Sequence, residues 1–164
     1  MIRDNFQSLS RGKLEFIESM VSNDELVKCL VSNAPDFLNH TVTEEDRAGL
    51  VWNNIFPCLY NVDVAESVKS YVTMGFAYDR DEGSAIFKNG TVTFYIFCHK
   101  NLVRTDYGVL RYDFILQRID QIMNNKRSES WIGRMIFDSA EDIAVDSDGN
   151  YVGMLVRYVH SGMM

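Results

Sequence analysis

A chain of 164 residues, 46% hydrophobic and 24% charged, can bury a core of its own and is too apolar for disorder. Its formal net charge of −7 is the wrong sign for sequence-independent binding to a phosphate backbone. The three cysteines, Cys29, Cys58 and Cys98, are odd in number, far apart and outside any C-x-x-C pair, which argues against a disulfide framework and predicts buried free thiols in a reducing compartment.

The first third reads as helical. Leu14, Ile17 and Val21 share one helical face, and Phe16 with Met20 widens that stripe. Ser22 with Glu25 has the pattern of a capping box, restarting a short helix through Leu26, Cys29 and Leu30. Asn33-Ala34-Pro35 stops it, because the residue before a proline is pushed out of the α region. A loop is expected from Asp36 to Thr41, then a helix opening at Thr43-Glu44-Glu45-Asp46 and running to about Trp52.

The pattern changes at Ile55-Phe56-Pro57-Cys58-Leu59-Tyr60. Val68, Val72, Met74 and Phe76 alternate with other residues over one stretch, the period of a strand. After a connection at Asp79–Ser84, residues Thr91–Cys98 form the strongest strand signal. Val92, Phe94, Ile96 and Cys98 face one way and Tyr95 and Phe97 the other, so this strand is predicted to be central and covered on both faces. Asp106-Tyr107-Gly108 closes the strand region. An amphipathic helix is predicted from about Val109 to Asn124, with Val109, Tyr112, Leu116, Ile119 and Met123 as its stripe and Ile115 and Ile122 beside it. Strands at Met135–Phe137, Ile143–Val145 and Tyr151–Val159 follow, with a hairpin turn at Asp146–Asn150. No repeat or linker divides the chain, so 1–164 is expected to be one domain. Its class is α+β: a mostly antiparallel sheet, N-terminal helices, and one long amphipathic helix packed on it.

Chemistry-bearing motifs are sparse. His40, His99 and His160 have no ligand-type neighbour at helical spacing, and no H-E-x-x-H occurs. Cys98 and His99 are strand neighbours and point apart. Asp146-x-Asp148-Gly149-Asn150 resembles half a calcium loop, but the twelfth position is the cation Arg157. There is no G-x-G-x-x-G, Walker or G-x-S-x-G motif. The expectation is therefore no catalytic residue, no metal and no cofactor: a binding protein and not an enzyme. No apolar run reaches the roughly 20 residues of a membrane-spanning helix, and Met1–Phe6 has no signal-peptide structure. The protein is expected to stay where it is made, or to leave only inside something larger.

The segment Lys100–Asp113 gathers Arg104, Asp106, Arg111 and Asp113 around Tyr107 and Tyr112, with Lys100 at its start. Arg and Tyr are enriched at protein interfaces. Local pairing and helix capping is the other reading of the same residues.

Thr93-Phe94-Tyr95-Ile96-Phe97-Cys98-His99-Lys100 followed by Arg104–Asp113 resembles small neck and tail-completion proteins of tailed bacteriophages, with Ile55-Phe56-Pro57 and Trp131-Ile132-Gly133-Arg134-Met135 in similar places. The element order resembles tail terminators. The resemblance implies a structural virion protein without catalytic residues, a subunit of a homo-oligomeric, commonly six-fold ring at the neck. Such a ring joins the tail tube protein to the head connector or stopper; it would be made in the host bacterial cytoplasm and let DNA pass unbound. A head-completion or stopper protein, or a phage-encoded module binding a host protein, is the alternative. Ring contacts need two unlike patches. The acidic group Glu44, Glu45 and Asp46 and the basic Lys100–Arg111 region are the expected pair, so charge reversal at Arg104 and Arg111 is expected to block assembly and spare the fold.

Overall fold

The computed structural model describes residues 5–60, 67–80, 88–124, 134–144 and 149–161. Within them the α+β class holds: helices α1 (Asn5–Val21), α2 (Asp24–Val31), α3 (Glu44–Leu50) and α4 (Arg111–Met123) accompany one five-stranded sheet. The strands are β1 (Ile55–Phe56), β2 (Ser70–Arg80), β3 (Lys88–His99), β4 (Arg134–Ala144) and β5 (Tyr151–Ser161), in the order β1-β2-β3-β5-β4. Among the described residues, β1 is the one strand that runs parallel to its neighbour; the other strand-to-strand pairings are antiparallel. As expected from its pattern, β3 is the central strand.

Alternation along the strands builds two faces. Val72, Met74, Val92, Phe94, Ile96, Val156 and Tyr158 point toward the helices and form the main core with Phe16, Met20, Leu26, Leu30, Ile115 and Ile119. The opposite face carries a smaller cluster of Phe56, Tyr71, Phe97 and Tyr151, with Tyr95 and Ile143 against it. Two of its ring pairs meet edge to face, Tyr71 with Tyr151 at 5.7 Å and Tyr71 with Phe56 at 6.2 Å. The expectation of two covered faces on β3 is met at Phe97, which is buried, and in part at Tyr95.

Several local details differ from the sequence reading. Leu14 is 58% exposed, whereas Phe16 and Met20 are fully buried, so the stripe of α1 is rotated toward them. Asn23, and not Ser22, caps α2: its side chain accepts from Leu26 N at 2.9 Å. The loop after Pro35 contains a 3₁₀ turn, Phe37–Asn39, that buries the Phe37 ring against Phe114 at 4.9 Å. In α4 the buried face is Arg111, Phe114, Ile115, Ile119 and Met123, with Tyr112 only partly covered. The two predicted strands around Ile136 and Ile143 are one strand, β4, with a bulge between Phe137 and Ser139. Gly149 takes the positive φ of 65° expected of it. Residues 81–84 of the predicted connection, 145–148 of the predicted turn region, and Trp131-Ile132-Gly133 lie outside the described residues.

Asn54 pins β1 to its surroundings. It is 6% exposed, and its Nδ2 donates to Leu30 O at 3.0 Å and Ser70 O at 2.8 Å, joining α2 to β2. Among the described residues no helix is long and apolar enough to cross a membrane.

Candidate functional site

The residues singled out in the sequence serve mainly local structure. Arg111 is fully buried. Its Nε donates to Leu102 O at 2.8 Å, Nη1 to Cys29 O at 2.9 Å and Ser32 O at 2.7 Å, and Nη2 to Ala34 O at 2.6 Å. The guanidinium lies 4.8 Å from the Phe37 ring centre. It closes the carboxyl end of α2, where orphan carbonyls and the helix dipole favour a cation. Arg111 is therefore not a surface contact residue, and the charge reversal expected to spare the fold would break it.

Tyr107 is similarly committed: its hydroxyl accepts from Leu38 N at 3.0 Å and its ring meets Phe37 edge-on at 5.0 Å. Lys100, Arg104 and Asp106 are exposed, and the Asp106 N–H donates to Pro35 O at 3.1 Å. Glu44 and Glu45 are exposed in the first turn of α3. Asp46 completes a capping box, accepting from Thr43 N at 2.9 Å while its own N–H donates to Thr43 Oγ1 at 3.1 Å. His40 Nε2 is 3.0 Å from the same carboxylate. Both predicted groups are thus tied to one stretch, Phe37–His40.

The Thr43 backbone bond first, then the His40 bond, holds the Asp46 carboxyl below the usual aspartate range. A depressed folded pKa means the cap stabilises above the unfolded value and is lost as pH falls through the folded one. Asp46→Asn is expected to flatten the fall of melting temperature below about pH 4. Parallel acid limbs for the two proteins would contradict this.

Two cysteines are poor nucleophiles. Burial pushes the Cys29 thiol up to about 12, with nearby Arg111 offsetting only part of the effect. Cys98 is raised by burial too, against its contact with Ser70 Oγ at 3.4 Å. Cys58 is exposed.

What stands out lies at the two edges of the sheet. At the β1 edge, Trp52 sits in the turn between α3 and β1 with φ of 68°, the left-handed region that suits glycine or asparagine. Its indole is nevertheless 64% exposed. A bulky residue in that region costs roughly 1–3 kcal/mol and points to a role beyond folding. Trp52 meets Phe56 edge-on at 6.4 Å, and Tyr60 stacks on Phe56 at 4.2 Å. Leu59 projects over Gly75, where a Cβ would come within 3.2 Å of Leu59 Cδ2, and still remains largely exposed. Lys69 completes this corner. Its ammonium lies 5.7 Å over the Phe56 ring and donates to Asn53 O and Oδ1.

At the other edge, β4 is the last strand, and Ile136 and Phe137 are 43% and 45% exposed on its two faces. Phe137 borders a cleft of about 350 Å³ between α4 and β4–β5, whose wall includes Leu116, Gln117, Asp120 and Tyr158. Tyr158 donates its hydroxyl to Asp120 Oδ1 at 2.8 Å; burial, then Asp120, pushes the phenol well above its ordinary range. Five strands at a spacing of roughly 4.8 Å set the two edges about 19 Å apart. Sequence reading assigned no role to Trp52, Leu59, Tyr60 or Phe137. An indole followed closely by Phe56, Leu59 and Tyr60 was the available signal.

Among the described residues no three His, Cys, Asp or Glu side chains gather to hold a metal. A family model described as YomW matches residues 23–159. No curated protein and no solved structure matches the chain.

Proposed function

Since the chain belongs to the YomW family and is a phage-associated protein, we propose that it is a structural subunit of a tailed phage. In this reading it assembles head-to-tail into the ring that terminates the tail at the neck. The observation that carries this is the pair of unlike exposed apolar surfaces on opposite edges of one sheet. A heterologous contact needs two different patches per subunit, and it closes into a ring when the rotation between copies allows. Apolar surface exposed in patches with aromatic anchors marks protein contact sites.

The same reading makes the tail tube protein and the head connector the neighbours above and below, and the virion the site of action. Catalysis has no part in it. A net charge of −7 suits a channel through which DNA must move without sticking, because like charges repel.

Two measurements test the proposal. Quantitative mass spectrometry of purified particles against the portal subunit is expected to give a ratio matching one small ring. Absence from particles would overturn the virion role and favour a host-protein-binding module. In solution, a Leu59→Asp, Tyr60→Asp chain and an Ile136→Asp, Phe137→Asp chain are each expected to be monomeric. Mixed, they should give dimers and nothing larger, since only one good contact remains per pair. Full rings from either variant alone would overturn head-to-tail assembly through these edges.

A further inference from the structure

We infer that the Trp52 corner of one copy inserts into the α4–β4–β5 cleft of the next; this rests on the head-to-tail reading above. Trp52 is a large, exposed indole on a backbone that would suit glycine, so the chain retains it against its own folding preference. Such a residue is explained by a partner pocket that buries it.

The cleft has the matching chemistry. Its volume of about 350 Å³ is at the small end of ligand-sized sites and ample for an indole. Leu116, Phe137 and Val156 supply apolar wall. An indole has one polar atom, an N–H that only donates. Asp120 lines the cleft as an acceptor; Tyr158 donates to its Oδ1 at 2.8 Å, which leaves Oδ2 as the carboxylate's second acceptor.

Charge points to a second copy as the occupant. The corner brings Lys69, whose ammonium is held by the neutral oxygens of Asn53. The cleft side carries Asp120 and, further along α4 and β4, Asp113 and Asp142. Among the described residues none of these three carboxylates is in an ion pair. Burial first, and then Asp142, raises the Asp113 carboxyl above its ordinary range, as expected where like charges face each other without a cation. A neighbour's ammonium arriving beside the indole supplies that cation. The two surfaces of this one chain are thus complementary in hydrogen bonding and charge.

The test uses the full chain. Trp131→Phe leaves Trp52 as the sole indole of the two in the sequence. On assembly its emission is expected to shift to the blue and its quenching by acrylamide to fall several-fold. Separately, Asn53→Cys, exposed beside the retained indole, with Gln117→Cys in a Cys58→Ser background should give a ladder of disulfide-linked copies on mild oxidation. Rings that form with Trp52 still quenched as in the monomer, and with no ladder, would overturn the docking and leave head-to-tail assembly standing. A chain that stays monomeric at every concentration and is absent from particles would overturn both.

Discussion

Replacing Arg111 by methionine is expected to cost the fold about 4 kcal/mol. Of the four carbonyls that Arg111 satisfies, those of Leu102 and Cys29 are bonded in fully buried contacts. Each left buried without a donor costs about 1–3 kcal/mol. Methionine matches much of the volume and relieves the desolvation of a buried cation, so packing is not what is being tested. Against a total stability of about 5–15 kcal/mol, such a loss is large. Arg111→Lys keeps the charge but not the planar fork, and three donors on one nitrogen cannot reach carbonyls of both α2 and the Leu102 turn. It is expected to be destabilised by roughly half as much. Urea titration decides the matter: the midpoint should fall with the slope unchanged. An unchanged midpoint for Arg111→Met would refute the clasp.

Gly153→Ala is expected to be as damaging, by a different route. A Cβ there would lie 1.8 Å from Ile96 O, 2.9 Å from Ile96 C and 3.1 Å from Phe97 Cα, all main chain of the central strand. Phe97 is the residue opposite Gly153 in the β3–β5 ladder, so the obstruction cannot move without parting the strands. The loss should reach at least about 3 kcal/mol, the upper end of overpacking costs. For a chain of this size that is a fall in melting temperature of roughly 6–12 °C. Gly75→Ala is the control. Its Cβ would meet only Leu59 Cδ2 at 3.2 Å and Tyr95 Cε2 at 3.5 Å, both side-chain atoms, and the Leu59 side chain is free to swing away. Equal losses at the two glycines would show that sheet propensity, and not the backbone approach, sets the cost.

The contrast between these residues bears on how assembly and stability are divided. Arg111 and Gly153 hold the helical layer and the sheet together and are out of reach of any partner. Trp52, Leu59, Ile136 and Phe137 are exposed and carry little of the core. Variants of the second group should therefore lose assembly while melting near the parent temperature, and variants of the first should lose both.

Residue order alone determined the class of fold. The period of two at Val72, Met74 and Phe76 and at Val92, Phe94 and Ile96 required strands with one face inward, and β2 and β3 pair those residues directly, Val72 with Ile96 and Met74 with Phe94. The stop at Pro35 and the start at Thr43 were legible because they depend on backbone sterics and a cap only three residues long. Tertiary structure decided what depends on residues distant in the chain. Periodicity places Leu14 and Phe16 on one broad stripe of α1, but only the sheet that arrives opposite selects Phe16. Arg111 reads as a surface charge until the end of α2, some 80 positions earlier, presents its carbonyls. Nothing local in Tyr151-Val152-Gly153 announces that β3 will approach too closely for a side chain. Nor does Leu50-Val51-Trp52-Asn53 reveal that the left-handed residue of the turn is the tryptophan and not the asparagine beside it. Short-range patterns fix which faces are apolar; which of them is covered, and which is left for a partner, is set by contacts that form only when the chain closes.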